Sequence, residues 1–201
     1  MRSTRWSMAA SGLAVFGALG WVMGGCSASA QEDLTDPQLG RTDRECLGDL
    51  VEPLSSADKE RLIRDECGVF AQADAAGDGG GDGTQAAPYK SLQSAINAAQ
   101  KSRKRVYACS NATTPFKEAV TVSAPVEVYG GFECGVGWVW NTSTRSLITG
   151  DTQQVSLTLT SSAGGARIEG FKITSASATV KGTSSVAVAV DDITAALVGC
   201  D

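Results

Sequence analysis

The stretch from Asp74 to Gln100 reads DAAGDGGGDGTQAAPYKSLQSAINAAQ and separates a polar N-terminal part from a strand-rich C-terminal part. Its second half predicts an amphipathic helix that begins after Ser91, because a serine is a good N-cap and apolar residues then recur at helical spacing. These residues are Leu92, Ala95, Ile96 and Ala99. Basic residues follow at 101 and 103–105, where the negative end of the helix dipole favours cations. We expect this helix to cover the end of a sheet.

The first half of the stretch is a glycine and aspartate loop, with Asp74, Asp78 and Asp82 spaced four residues apart. An EF-hand loop that began at Asp78 would place Gly80 and Tyr89 at two ligand positions, so this calcium register fails. No Gly-Lys-Ser or Gly-Lys-Thr follows, so the loop does not match a phosphate-binding loop either. The sequence therefore predicts a flexible acidic loop, with no metal and no cofactor.

Short strands are predicted from Arg105 onward, because β-branched residues alternate with polar ones between Gly, Ser, Thr and Asn. The predicted strands are 106–109, 119–122, 126–129, 147–149, 155–159, 168–173, 186–190 and 195–198. Two architectures fit, a sandwich of hairpins or a solenoid of coils. Tight Asn-Gly and Asp-Gly turns are absent from this region, which disfavours hairpins. A glycine-containing pattern recurs irregularly at 128–132, 167–173 and 196–201, which favours coils.

Two passages resemble a known family. The pattern of Gly83, Thr84, Pro88, Tyr89 and Ser91, followed by the apolar positions of the helix, is similar to the start of right-handed parallel β-helix proteins of the pectate-lyase-like superfamily. Residues 128–132, 140–141 and 147–151 are similar to a passage found in many bacterial surface β-helix proteins. Together with the N-terminal cysteine motif described below, the chain resembles lipid-anchored members of the myxobacterial type. The resemblance covers about residues 75–201.

The resemblance implies an all-β fold, a right-handed parallel β-helix with an N-terminal capping helix. It implies little about activity, since one fold carries many functions. Enzymes of this family cut acidic polysaccharides with carboxylates and an Arg or Lys. The candidate groups here are Asp151, Glu169, Lys172, Lys181, Asp191 and Asp192. Glu169 and Lys172 would point to opposite sides of a strand, and Asp191 and Asp192 diverge, so we interpret all six as solvated and predict no catalytic residue.

The first 25 residues predict an export signal, with Arg2 and Arg5 ahead of an apolar run from Met8 to Gly25. Met23-Gly24-Gly25-Cys26 resembles the bacterial lipobox, which predicts lipidation of Cys26 after cleavage. The alternative is an ordinary signal cut after Ala28 or Ala30. Either outcome exports the protein, and a lipid on Cys26 would hold it in the cell envelope, in the outer membrane or on the cell surface.

The positions of the cysteines help to divide the chain after residue 25 into three segments. Residues 26–45 are interpreted as a flexible tether, 46–73 as a small cysteine-bracketed helical segment and 74–201 as the β-helix domain. We expect Cys46 to pair with Cys67, although the sequence also allows neither to pair with the other. In the β-helix interpretation Cys109 and Cys134 end strands in successive coils and are paired. Cys200 is then left free or intermolecular, and we expect the chain to be the front part of a longer protein.

Composition excludes some functions. The chain has no His, which removes the commonest general base and zinc ligand. Its 17 basic and 22 acidic residues give a net charge of −5, which offers no surface for nucleic acid. Trp138 and Trp140 could stack on sugar rings or pack on the coil that they leave. We therefore expect a noncatalytic envelope protein with a structural, adhesive or glycan-contacting role. The alternative is a polysaccharide lyase or hydrolase whose active coils lie beyond Asp201.

Overall fold

The structure is a computed structural model that describes residues 46, 50, 55–76, 80–135 and 137–201. The predicted signal segment, tether and lipidation site at Cys26 lie outside the described residues. Two helices have defined bounds, α1 (Ser56–Leu62) and α2 (Leu92–Ser102). No described helix has the length and apolar character that a membrane crossing needs.

Eleven strands make up most of the regular secondary structure of the described residues. In chain order they are β1 (Gly68–Gln72), β2 (Arg105–Cys109), β3 (Val120–Val122), β4 (Glu127–Glu133), β5 (Val139–Trp140), β6 (Ser146–Thr149), β7 (Leu157–Leu159), β8 (Arg167–Glu169), β9 (Phe171–Thr174), β10 (Val188–Val190) and β11 (Ala196–Val198). The sequence predicted most of these positions. It missed β1 and β5.

The strands form three sheets. Sheet 1 has the order β1-β2-β4-β8-β11, with β5 beside β4; sheet 2 contains β6 and β9; and sheet 3 has the order β10-β7-β3. Every pair is parallel except β4 with β5. The coarser prediction, a fold made mostly of parallel strands with few helices, is therefore confirmed for the described residues, and the β4–β5 pair is a hairpin that the sequence did not predict.

The chain visits the three sheets in a fixed order. It passes from β4 in sheet 1 to β6 in sheet 2 and β7 in sheet 3, and then through β8, β9 and β10 in the same order. An earlier pass runs from β2 to β3, and between them Phe116 forms a bridge to Ile148 of sheet 2. After β11, the backbone of Asp201 bonds to Phe171 and Ile173 of sheet 2. Equivalent residues of successive passes therefore stack in rows.

The central cluster is the apolar interior shared by the sheets and α2. Its row in sheet 1 is Val69, Val106, Val128 and Ile168, which are directly opposite one another and buried. Sheet 3 adds Val120 and Leu157. The end of this interior is covered by α2, whose Leu92, Ala95, Ile96 and Ala99 are buried as predicted.

At β1, β2 and β4, sheet 1 is also buried on its outer face. Phe70, Tyr107 and Tyr129 form one row there and are each 0% exposed. They belong to a second cluster, here called the aromatic cluster, with Leu50, Leu62, Ile63, Cys109, Phe132, Trp138 and Trp140. The segment before β1 and the β5 hairpin therefore cover the outer face of the sheet.

Residues 68–72, which the sequence analysis grouped with the cysteine-bracketed helical segment, form the first strand of sheet 1. Part of the following loop is hydrogen-bonded to β1. Phe70 donates its N–H to the carbonyl of Gly83, and Tyr89 exchanges backbone bonds with Phe70 and Gln72 at 2.8 Å. Residues 83–89 thus lie along β1, where a free acidic loop was predicted.

The recurring glycine pattern marks changes of direction. Gly170 and Gly199 end β8 and β11, where the chain turns from sheet 1 to sheet 2, and their φ angles are +73° and +52°. Gly131 has a φ of +81° and lies in β4 near the register shift with β2. A side chain would be strained at these positions. The recurring glycines are therefore needed by the backbone conformation at these positions.

Tyr107 and Tyr129 provide a matched test of the aromatic cluster. The Tyr107 hydroxyl donates a hydrogen bond of 2.6 Å to the carbonyl of Leu62, whereas the buried Tyr129 hydroxyl has no partner among the described residues. We expect Tyr107→Phe to lower the free energy of unfolding by about 1 to 2 kcal/mol, because a buried carbonyl loses its donor. We expect Tyr129→Phe to be neutral or stabilising. Urea unfolding of both variants checks this, and equal losses would contradict it.

Because both tyrosines are buried, we also expect the free energy of unfolding to fall at alkaline pH. Burial raises the pKa of Tyr107 to about 12 and raises that of Tyr129, against an ordinary value of 10.0. As the pH rises, the two tyrosine hydroxyls lose their protons in the unfolded chain before they do so in the folded chain. Their contribution to the free energy of unfolding is therefore complete below about pH 10 and is lost as the pH rises towards 12. The urea midpoint, measured across this range, should fall. The fall should be smaller in the double variant Tyr107→Phe/Tyr129→Phe; an unchanged fall would assign it to other groups.

Candidate functional site

The candidate site lies at the N-terminus of α2. Ser91 caps the helix and accepts a hydrogen bond from the Ser94 N–H at 3.1 Å, as predicted. Glu118, which comes shortly before β3, completes the cap. Its carboxylate accepts from the N–H groups of Leu92 and Gln93 at 2.6 and 3.3 Å and from the Ser91 hydroxyl at 2.8 Å. The free N–H groups of the helix are thus bound to a carboxylate from elsewhere in the fold.

A groove of about 640 Å³ lies beside this cap. We call it the cap groove and define it by Tyr89, Lys90 and Ser94 on one side and Pro115, Phe116, Lys117 and Glu118 on the other. Phe116 is buried and Tyr89 is half-buried, so part of the lining is apolar. Lys90, Lys117 and Ser94 are exposed. Its volume is within the range of small-molecule sites, about 300 to 1,000 Å³.

The cap groove is lined by two basic residues, Lys90 and Lys117, and by one acidic residue, Glu118. Neither Lys90 nor Lys117 forms an ion pair with any residue that the structure describes. Glu118 is the acidic residue of the lining, and its two oxygens are occupied by Ser91 and the helix. Among the described residues, the two ammonium groups therefore have no carboxylate partner in the groove.

Trp138 and Trp140, the predicted sugar contacts, both lie in the aromatic cluster. Trp138 is 9% exposed and packs edge-on against Phe70 with ring centroids 4.7 Å apart. Trp140 is 5% exposed and donates its indole N–H to the carbonyl of Gly130 at 3.0 Å. Both rings serve in packing, as the alternative interpretation of the sequence had it. Their contact with a glycan stays a prediction.

A small cavity of about 120 Å³ lies next to Trp140. It is lined by Asn141, Arg145 and Glu169, together with the corner glycines. Arg145 donates to the carbonyls of Thr142 and Thr144. Glu169 accepts from both the Nε and a terminal nitrogen of Arg167, at 2.9 and 2.7 Å. The charged groups here support the loop and the sheet face, and the volume is too small for a sugar oligomer.

The other candidate charges are spread over the surface. Asp151, Lys172, Lys181, Asp191 and Asp192 are all exposed, as the sequence analysis interpreted them. The same interpretation is wrong for Glu169, whose side chain is only 13% exposed because it pairs with Arg167 on the sheet. Of the three loop aspartates, Asp74 accepts from the Gln72 amide and Asp82 from Thr84, while Asp78 lies outside the described residues. In the described part of the chain, no group of three or more acidic or cysteine side chains could hold a metal ion.

The cysteines pair as the sequence analysis expected. Disulfides join Cys46 to Cys67 and Cys109 to Cys134, with Cα atoms 5.2 and 5.5 Å apart. Cys200 is free and half-buried, and burial raises the pKa of its thiol. The first disulfide ties the segment before α1 to the start of β1, and the second ties β2 to the end of β4.

Sequence reasoning missed the part that residues 115–118 play at α2. The sequence identifies Ser91 as the cap, but the second partner, Glu118, is 27 residues away. Only the return of the chain to sheet 2, where Phe116 meets Ile148, places Lys117 and Glu118 beside the helix. The sequence signal available was the short polar segment just before a predicted strand.

Comparison with known proteins finds no relative: no family model, no curated protein and no solved structure matches the chain.

Glu118 is predicted to stabilise the fold through α2. We expect Glu118→Ala to lower the free energy of unfolding by about 1 to 2 kcal/mol, because three donors lose their acceptor. Glu118→Gln keeps an acceptor oxygen and should lose less. Thermal and urea unfolding measure the effect, with Asp191→Ala, a change at an exposed carboxylate, as the control. A loss for Glu118→Ala no larger than the control's would contradict the proposed role.

Proposed function

We propose that the chain is a lipid-anchored protein of the bacterial cell envelope, built on a parallel β-helix, with a noncatalytic structural, adhesive or glycan-contacting role. The observation that carries this proposal is the repeated order of the strands through sheets 1, 2 and 3 around one apolar interior. Three stacked passes with a helix over the first resemble a solenoid with its cap. In such a scaffold the outer faces of sheets 2 and 3 would be open to a partner, because the outer face of sheet 1 is covered at β1, β2 and β4 by the aromatic cluster.

A noncatalytic role is supported by what the partly buried carboxylates do. Glu118 binds the N-terminus of α2, Glu127 pairs with Arg105 at 2.5 Å, and Glu169 pairs with Arg167 at 2.7 Å. General acid or base work needs a carboxyl group that can exchange its proton with a substrate. These three are engaged in structural contacts instead.

The envelope location is supported by the cysteines. Two disulfides indicate an oxidising environment outside the cytoplasm. The residues before Cys26 supply the lipobox-like motif, and the polar residues after it would let the β-rich part stand away from the membrane.

The anchor is tested by replacing its cysteine. We expect palmitate labelling of the full chain in a bacterial host, and we expect Cys26→Ala to lose the label and move from the membrane fraction to the soluble fraction. Cys200→Ala is the matched control and should keep both the label and the membrane location. Label that persists in Cys26→Ala would show that the anchor assignment is wrong.

The noncatalytic role is tested on the full-length gene product with pectate and alginate, because the alternative places the active coils beyond Asp201. No release of unsaturated or reducing sugar is expected, with or without calcium. Calcium-dependent turnover by that product would favour the lyase or hydrolase alternative.

A further inference from the structure

The loop that follows β2 carries an acceptor motif for N-linked glycosylation. Asn111-Ala112-Thr113 matches the pattern of asparagine, any residue except proline, and serine or threonine, which in an exported protein can receive a glycan. Asn141-Thr142-Ser143 matches the same pattern. The motif alone does not distinguish the two asparagines, so their surroundings decide which of them can react.

The first motif lies at the corner between sheets 1 and 2, in a loop whose two ends are fixed. At one end, the Ser110 hydroxyl donates to the carbonyl of Leu147 and accepts from its N–H. At the other end, Phe116 donates its N–H to the same carbonyl at 2.9 Å. Between these points, residues 111–113 are all exposed. A transferase can therefore reach Asn111 in the folded chain.

The hydrogen bonds of Asn111 leave its amide nitrogen unoccupied. Its Oδ1 accepts from the N–H groups of Thr113 and Thr114 at 2.9 and 3.0 Å and from their hydroxyls at 2.6 and 3.0 Å. Only the oxygen can accept from an N–H group, so these bonds fix which way the amide points. Nδ2 then has no partner among the described residues. The same bonds favour loss of a proton from Nδ2, because they stabilise the negative charge that develops on the amide.

Asn141, by contrast, is held on both sides of its amide. It is half-buried, its Nδ2 donates to the Glu133 carboxylate at 3.3 Å, and its Oδ1 accepts from the Ser143 N–H at 2.8 Å. A sugar on this nitrogen would have to fit between that carboxylate and the aromatic cluster, to which the neighbouring Trp140 belongs. The structure therefore separates two motifs that the sequence leaves equivalent.

We propose that Asn111 is a site of N-linked glycosylation and that Asn141 is not. In a glycosyltransferase, Nδ2 of Asn111 attacks the anomeric carbon of a sugar that is activated by a phosphate or diphosphate leaving group. A C–N bond forms as the bond from the anomeric carbon to the phosphate oxygen breaks. The phosphate leaves with that electron pair, and a base of the transferase takes one proton from Nδ2. This inference goes beyond the proposed function and rests on its export but not on its lipid anchor.

Mass spectrometry tests the proposal, because trypsin places the two motifs on different peptides. Cleavage after Arg105, Lys117 and Arg145 gives the peptides 106–117 and 118–145, with Asn111 on the first and Asn141 on the second. The full chain is purified from the cell envelope of the organism that produces it, and its disulfides are reduced before digestion. We expect a sugar on Asn111 and none on the second peptide. An unmodified peptide 106–117, or a sugar at Asn141, would overturn the proposal.

Variants assign the sugar to the asparagine. Asn111→Asp keeps an oxygen that can accept the four hydrogen bonds but removes the nucleophilic nitrogen, so we expect complete loss of the sugar. Thr113→Ala should also abolish it, and Thr113→Ser, which keeps the hydroxyl of the motif, should retain it. Asn141→Asp is the matched control and should stay modified at Asn111. Urea midpoints establish that the variants are folded. A sugar that persists in Asn111→Asp would lie on a threonine hydroxyl and would overturn the assignment.

The outcome is separable from that of the anchor experiment. A sugar on Asn111 of a chain that carries no palmitate would keep this inference and remove the anchor. Labelled Cys26 with an unmodified Asn111 would remove this inference and leave a lipid-anchored structural protein.

Discussion

The two-sided burial of sheet 1 is the constraint on which the rest of the structure depends. Its strands β1, β2 and β4 carry buried residues in succession, as in Val69, Phe70 and Ala71, so both faces need a cover there. The inner face is covered by sheets 2 and 3. The outer face needs chain from outside the repeating passes, and the segment before β1 and the β5 hairpin supply it. The two disulfides join these covers to the sheet, which holds them where the burial requires.

The edge of sheet 3 at β3 is a second constraint, because an open strand edge can pair with another chain. Here side chains of α2 take the place of a strand. The Gln93 amide accepts from the Thr121 N–H at 2.6 Å and donates to the Thr121 carbonyl at 3.0 Å, as a neighbouring strand would. Gln100 donates to the carbonyl of Ala124 in the same way. Glu118 fixes the helix from the opposite direction, so the helix and sheet 3 hold each other.

The sequence predicted local features well, because they depend on neighbouring residues. The cap and buried face of α2 and most of the strands follow from spacing alone. The sequence did not predict the features whose structure depends on residues far away in the chain. Residues 68–72 form a strand because β2 and residues 83–89 lie on its two sides. Strand β5 was missed because it forms only where the chain folds back on β4, and the sequence alone could not choose between packing and sugar contact for its tryptophans. The irregular spacing of the glycine pattern has the same cause, since the hairpin is inserted into one pass of the chain.

The same geometry changes where a glycan contact should be sought. Exposed tryptophans would have been the natural platform, yet the outer face of sheet 1 uses both rings to exclude water. A ligand that stacked on Trp138 or Trp140 would first have to open the aromatic cluster, which also holds the covers of sheet 1 in place.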